Sequence, residues 1–210
     1  MTEGSAEIAA LAARLVADEG LDYASAKRRA LKSLFGPGAR VELPTNEALE
    51  DALREHIALF HADTQPAELR ALRRAALPWM RRLAEFRPHL GGAVWRGTAT
   101  RMSALQLDLY CDDPKAAEIA LVNAGLRFDT GQLARPGRRE PLNVLTLSVP
   151  DRTPGEAITL HLILHDLDEQ RGALKPDARG RSWRGDAAAL RRVIAQDDTE
   201  DGAAGGAHQD

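Results

Sequence analysis

The stretch GGAVWRGTATRMSALQLDLYCDD, residues 91–113, decides the fold of this chain. It opens with two glycines, passes through a polar loop, and ends in the segment LQLDLYC. In that segment apolar and polar positions alternate, with Leu105, Leu107 and Leu109 on one side and Gln106, Asp108 and Tyr110 on the other. A period of two residues predicts a β-strand that is buried on one face.

The sequence on either side of this strand predicts an α+β protein. Four helices are expected before Pro88, with Ser5, Asp22 and Thr45 or Asn46 as N-caps and with Pro78 kinking or splitting the fourth. After the strand, a helix starting at Asp113 and Pro114 is followed by short strands at 126–129, 143–149 and 157–165 and by a last helix capped by Asp186. We therefore expect a helical N-terminal half packed on a small mixed sheet.

Changes in composition along the chain predict three regions. The folded part is expected to comprise a helical region, 1–88, and an α+β domain, 89–196. The tail after Gln196 holds five acidic residues and no Lys or Arg, and its Gly- and Ala-rich composition predicts disorder over 197–210. Without it the chain has 28 basic and 26 acidic residues, which indicates neither strong attraction to nucleic acid nor strong repulsion.

Several classes of protein are disfavoured by what the sequence lacks. No apolar run is long enough for a membrane span and the N-terminus lacks signal-peptide character, so a cytoplasmic protein without a membrane partner is expected. The single cysteine, Cys111, leaves no disulfide and no CxxC zinc motif. Four histidines, His56, His61, His89 and His208, have no partner at metal-ligand spacing along the chain.

The opening stretch resembles the signature of the nucleotidyltransferase superfamily, whose members share the polymerase-beta-like fold. That signature contains a Gly-Ser turn, an Arg-Gly-Thr/Ser-Ala loop, a Ser-Asp pair and an Asp-x-Asp strand. Gly92, the loop RGTA at 96–99 and Ser103 match it. Ala104 and Gln106 stand where the two metal-binding aspartates would be, and Ala93 replaces the serine that contacts the phosphates.

The resemblance implies a nucleotide held at the glycine turn, but an alanine and an amide cannot offset the charge of two divalent cations. We therefore expect a non-catalytic module that binds a nucleotide or another phosphate ligand, or that binds a protein partner. No catalytic residue and no cofactor are expected. The expected ligand-binding residues are Gly91, Gly92, Arg96, Gly97, Thr98 and Ser103 around the anion, with Gln106 and Asp108 beneath it and His161 opposite.

Two alternatives follow from the same residues. The first is an active nucleotidyltransferase with relocated ligands, in which Asp108 and His161 or His165 hold a single divalent metal; hydrogen bonding between the aspartate and a histidine is the competing interpretation. The second is a nucleic-acid-binding regulator that uses the basic helical face of Arg70, Arg73 and Arg74. A solvated face with acidic partners competes with it, so nucleic acid is not the expected partner.

Overall fold

The structure is a computed structural model that describes residues 2–135, 140–150, 157–173, 175–176 and 180–206. The fold is α+β, as the sequence predicts. The chain forms two compact units: unit 1 comprises Met1–Leu69 and Gly97–Ser103, and unit 2 comprises Arg70–Arg96 and Ala104–Asp210. This division differs from the single boundary near Pro88 that the change in composition suggests.

Unit 1 is built from helices α1 (Glu3–Glu19), α2 (Tyr23–Phe35) and α3 (Asn46–Phe60) and from the first residues of α4 (Gln65–Arg82). Side chains cap these helices as the sequence indicates, with Asp22 accepting from Ser25 N and Thr45 from Ala48 N, although α1 is capped by Thr2 and not by Ser5. The apolar faces of α1, α2 and α3 meet in one buried core, which contains Ile8, Ala12, Leu15, Val16, Ala26, Ala30, Leu49, Leu53 and Ile57.

Unit 2 contains a five-stranded mixed sheet. Its strands are β1 (His89–Leu90), β2 (Leu105–Cys111), β3 (Asp129–Leu133), β4 (Leu142–Pro150) and β5 (Ala157–Asp166), in the order β1-β2-β5-β4-β3. Only β2 and β5 are parallel. The remaining helices of the unit are α5 (Gly92–Arg96), α6 (Pro114–Asn123), α7 (Gln170–Ala173) and α8 (Ala187–Gly206), together with single 3₁₀ turns at Ala84–Phe86 and Leu167–Glu169.

One face of the sheet is apolar and the other is polar. The apolar face carries buried leucines from β2, β4 and β5, including Leu107, Leu147 and Leu162. On β2, however, the opposite face is also buried, because Asp108 and Tyr110 are each only 1% exposed. The alternation therefore predicts the strand and its apolar face correctly, but not the burial of its polar face.

Two further local expectations differ from the structure. α4 continues through Pro78 to Arg82 and is not split. Proline removes only one backbone donor, and the residues two positions before and after it, Ala76 and Met80, are buried. The strand expected at 126–129 begins only at Asp129.

The last helix, α8, begins after the predicted cap Asp186 and runs to Gly206, ten residues beyond Gln196. Residues 207–210 of the tail that composition predicts to be disordered lie outside the described residues. Among the described residues, none of the helices is both long and apolar enough to cross a membrane.

Candidate functional site

The parallel pairing of β2 with β5 fixes which polar side chains face each other in unit 2. Gln106 lies opposite His161, Asp108 opposite Ile163, and Tyr110 opposite His165. On the next strand, Thr146 lies opposite His161. We call the group formed by buried Gly91 and the partly exposed Gly92, Gln106, Thr146 and His161 the Gln106 surface.

The two glycines lie directly against the side chains of β2. A Cβ atom on Gly91 would be 2.9 Å from Asp108 Oδ2 and 3.2 Å from Gln106 Nε2. Gly92 has a φ of 63°, in the left-handed region, and a Cβ atom there would be 3.1 Å from Gln106 Oε1. Gly91 also donates its backbone N–H to the carbonyl of Gln106 at 3.0 Å. Close approach of the buried Asp108 carboxylate disfavours a side chain at Gly91, and the positive φ favours glycine at Gly92.

His161 does not contact Asp108. Its Nδ1 lies 3.0 Å from the hydroxyl of Thr146. Burial lowers the pKa of His161 below its ordinary value, because desolvation disfavours the charged ring. The Gln106 surface therefore presents an amide, a hydroxyl and a neutral imidazole at neutral pH.

Asp108 belongs to a separate, buried arrangement that we call the Asp108 cluster, comprising Asp108, Tyr110, His165, Glu169 and Arg184. His165 lies between two carboxylates, with Nε2 2.7 Å from Asp108 Oδ1 and Nδ1 3.2 Å from Glu169 Oε2. A ring that carries a proton on both nitrogens can donate to both. Sequence reasoning pairs Asp108 with His161 or His165, and the structure selects His165.

Arg184 closes the Asp108 cluster from another part of the chain. It donates from Nη1 to the phenol oxygen of Tyr110 at 2.7 Å, and its Nε lies 3.6 Å from Asp108 Oδ2. Arg184 Nε and Asp108 Oδ2 are both buried, and neither atom has a hydrogen-bond partner among the described residues. Tyr110 also stacks on His165, with ring centroids 5.1 Å apart, and burial raises the pKa of its phenol. The carboxylate of Asp108 thus faces two basic side chains.

Four other predicted ligand residues lie further along the chain from the Gly91–Gly92 turn, and three of them have partners within the protein. Arg96 stacks on Trp183 in unit 2, with its guanidinium carbon 3.7 Å from the ring centroid. Gly97, Thr98 and Ser103 belong to unit 1. There the Gly97 carbonyl accepts from Gln65 at 3.2 Å, and the Ser103 hydroxyl accepts from Thr100 N at 3.1 Å. The hydroxyl of Thr98 is buried and has no hydrogen-bond partner among the described residues.

Sequence reasoning does not identify Glu169, and it indicates Arg184 only as a possible phosphate-binding or packing residue, not as a partner of Asp108 and Tyr110. Glu169 lies four positions after His165, but the strand ends between them, so helical spacing gives no signal for the pair. Arg184 comes from an irregular segment that is bridged to the sheet through Leu90 and Gly185. Neither contact follows from a periodic pattern.

The basic face of α4 is used within unit 2. Arg73 is only 7% exposed; it binds both carboxylate oxygens of Asp197, at 2.9 and 2.8 Å, and donates from Nε to the Val94 carbonyl at 3.2 Å. Arg74 forms an ion pair with Asp198. Acidic residues of α8 therefore neutralise two of the three arginines on which the nucleic-acid alternative depends.

Comparison with known proteins finds partial structural likeness. No protein-family model and no curated protein matches the chain. A Cid1 poly(U) polymerase bound to MgGTP is 17% identical, with 49% of this chain and 33% of that chain covered and a TM-score of 0.32. A cytoplasmic RNA terminal U-transferase is 21% identical, with 47% and 31% covered and a TM-score of 0.32. The chain thus spans about a third of the length of these solved structures.

Proposed function

We propose that unit 2 is a nucleotidyltransferase-like module that binds a phosphate-bearing ligand, a nucleotide above all, and transfers no nucleotidyl group. The observation that carries this proposal is the register of Gln106 with His161 beside the Gly91–Gly92 turn. The sequence signature around residues 91–106 supports the superfamily. An amide and a neutral imidazole at this position favour hydrogen bonding to a ligand over coordination of two divalent cations.

Charge supports a site that works without metal. Two-metal catalysis of phosphoryl transfer needs several carboxylate oxygens around the ions. The carboxylate nearest to the glycine turn is that of Asp108, and it lies 2.7 Å from His165 and 3.6 Å from Arg184. One of its oxygens is therefore already hydrogen-bonded to His165 and the other faces the Arg184 guanidinium, a cation that competes with a metal ion for the carboxylate.

The glycine turn places the backbone directly against Gln106, the proposed ligand contact, because the side chains of β2 occupy the space that Cβ atoms would take at Gly91 and Gly92. Gly91 and Gly92 carry no side chain, and Gly92 holds a backbone conformation that other residues adopt only with strain. Gln106, directly beneath the turn, can both donate and accept hydrogen bonds. In this proposal the turn and Gln106 contact the ligand first, and Arg96 contributes positive charge at the end of α5.

Calorimetric titration of the full chain with ATP, GTP, CTP and UTP tests the proposal, each in EDTA and again with Mn²⁺. We expect at least one nucleotide to bind with the same affinity in both buffers, without release of pyrophosphate. Gln106→Ala should weaken binding about 3- to 10-fold, the range expected for one lost hydrogen bond. Gln132→Ala, a matched change at an exposed position of β3, should leave affinity unchanged.

Two outcomes would contradict the proposal. Absence of binding for all four nucleotides would remove its basis. Binding that requires Mn²⁺, together with pyrophosphate release that Asp108→Asn abolishes, would support instead the active enzyme with relocated ligands at Asp108 and His161. The asparagine variant is chosen because it keeps the size of the side chain and one oxygen toward His165.

A further inference from the structure

Three residues from the ends of two helices of unit 1 meet at one point. Asp18 lies in the last turn of α1, His56 lies near the end of α3, and His61 is the residue that caps α3. The Nε2 atoms of His61 and His56 lie 3.0 and 3.6 Å from Asp18 Oδ1, and the three ligand atoms are within 4.8 Å of one another. We call this group the Asp18 cluster. Spacing along the chain gives these histidines no partner, so the tertiary fold corrects that expectation.

The packing of α1 on α3 explains why the residues converge. Leu15 and Val16 on α1 and Leu53 and Ile57 on α3 belong to the same core, so the C-terminal ends of both helices lie at the Asp18 cluster. A helix C-terminus carries a partial negative charge that favours a nearby cation. Neither helix has a basic residue in its last turn to fill this role. The electrostatics of the two helix ends therefore favour a bound cation.

The Asp18 cluster also contains an unsatisfied ligand atom. His56 Nε2 is buried and has no hydrogen-bond partner among the described residues. Its ring is fixed against Phe60, with ring centroids 4.7 Å apart. Arg14 approaches the other carboxylate oxygen of Asp18, Oδ2, at 3.6 Å, which leaves Oδ1 facing the histidines. A buried polar atom without a partner is uncommon, and a metal ion would satisfy it.

We propose that Asp18, His56 and His61 bind a first-row transition metal ion, with Zn²⁺ as the best fit. Bonds of about 2.0 to 2.2 Å to a tetrahedral ion place neighbouring ligand atoms about 3.3 to 3.6 Å apart. The two distances to Asp18 Oδ1, 3.0 and 3.6 Å, bracket that value. Imidazole nitrogens and one carboxylate oxygen are ligands that suit zinc, cobalt and nickel better than magnesium or calcium.

Three protein ligands leave one position of a tetrahedral ion open. A cavity of about 240 Å³ adjoins the Asp18 cluster within unit 1, and it is lined by Asp18 and His61 together with Glu68, Thr100 and Arg101. The Glu68 carboxylate accepts the backbone N–H of Arg101 at 2.9 Å. The fourth position of the ion would therefore face a polar cavity that can hold water or a small anionic ligand.

Titration of the EDTA-treated full chain with Zn²⁺ in a calorimeter and with Co²⁺ in an absorption spectrometer tests the proposal. We expect one equivalent of Zn²⁺ to bind and Co²⁺ to give the intense visible absorption of a tetrahedral ion. Asp18→Asn and His61→Ala should each weaken binding by at least about 10- to 100-fold, the loss that even outer-shell partners produce. Glu55→Gln is the matched control, because it removes an exposed carboxylate from α3 outside the cluster and should leave affinity unchanged.

The outcomes separate a metal site from a hydrogen-bonded helix end. Circular dichroism should show that Asp18→Asn keeps its helices, so a loss of Zn²⁺ affinity in that variant is not a loss of folding. Equal affinity in Asp18→Asn and Glu55→Gln would overturn the proposal, as would the absence of the tetrahedral Co²⁺ spectrum. Nucleotide binding in EDTA is a property proposed for unit 2, so Asp18→Asn should leave it unchanged and the two proposals can fail separately.

Discussion

Replacing Asp108 with alanine tests whether the buried polar side of β2 holds unit 2 together. The carboxylate is 1% exposed and lies 2.7 Å from His165 Nε2 and 3.6 Å from Arg184 Nε. Alanine removes the acceptor of His165 Nε2 and the counter-charge beside Arg184 Nε, while Glu169 still faces His165 Nδ1. Removing one partner of a buried ion pair costs about 3 to 5 kcal/mol, so we expect Asp108→Ala to lower the free energy of unfolding of unit 2 by that amount.

Tryptophan fluorescence during urea unfolding measures this effect in unit 2 alone. All three tryptophans, Trp79, Trp95 and Trp183, belong to unit 2. With a slope of about 2 kcal/mol per molar urea, the expected loss moves the unfolding midpoint down by about 2 M. Asp112→Ala is the control, because Asp112 is exposed just after β2 and its replacement should change stability by less than about 0.5 kcal/mol.

A loss of less than about 1 kcal/mol in Asp108→Ala would refute this reasoning, since that is the range of an exposed ion pair. It would mean that His165 and Arg184 do not depend on the carboxylate for their charge balance. A stable variant that had lost metal-dependent nucleotidyl transfer would assign Asp108 to catalysis. A strongly destabilised variant assigns it to the structure of the sheet.

Three further predictions use the same fluorescence assay. Gly92→Ala should cost about 1 to 2 kcal/mol because of the residue's positive φ, whereas Gly131→Ala, where a Cβ atom meets nothing within 4 Å, should cost less than about 0.5 kcal/mol. Arg73→Ala should lower the free energy of unfolding by about 3 to 5 kcal/mol, because the Arg73–Asp197 ion pair is largely buried, whereas Arg74→Ala, at an exposed ion pair, should lower it by less than about 1 kcal/mol. Equal losses in the two variants would show that burial does not determine what these ion pairs contribute. Burial lowers the pKa of His161 in the folded state, so the unfolded chain binds the proton more readily and stability falls as the pH drops below about 6.5. His161→Gln should therefore reduce the difference between urea midpoints measured at about pH 7.5 and about pH 5.5, and an unchanged difference would show that other groups cause it.

Local patterns predict the elements of this fold well. The alternation of leucines in residues 105–109 identifies β2, and Asp22, Thr45, Asp113 and Asp186 cap the helices that follow them. Each of these signals depends on a few adjacent residues, so the sequence alone is sufficient to predict the strand and the helix N-termini. The end of α8 is different, because Asp197 is held there by Arg73, 124 positions earlier. Composition indicates disorder for this segment since it contains no information about that partner.

The candidate site is predictable only in part for the same reason. The sequence places Gln106 and Asp108 on one face of β2, and it places His161 and His165 on one face of another strand. It cannot give the register between the strands, and that register decides that Asp108 bonds to His165 while His161 lies opposite Gln106. The Asp18 cluster depends entirely on the packing of α1 on α3, so the spacing of its residues along the chain carries no signal.

The order of the two units along the chain limits how the protein can be dissected. Unit 1 takes its last segment, Gly97–Ser103, from a point that follows the first 27 residues of unit 2, Arg70–Arg96. That segment supplies the Thr100 hydroxyl that donates to the Ala17 carbonyl at 2.9 Å and the carbonyls that hold Gln65. A fragment ending near residue 88 therefore lacks part of unit 1 and carries an unpaired piece of unit 2. A single protease cut between Arg70 and Arg96 would likewise release neither unit intact, so isolated expression of either one requires a redesigned chain order.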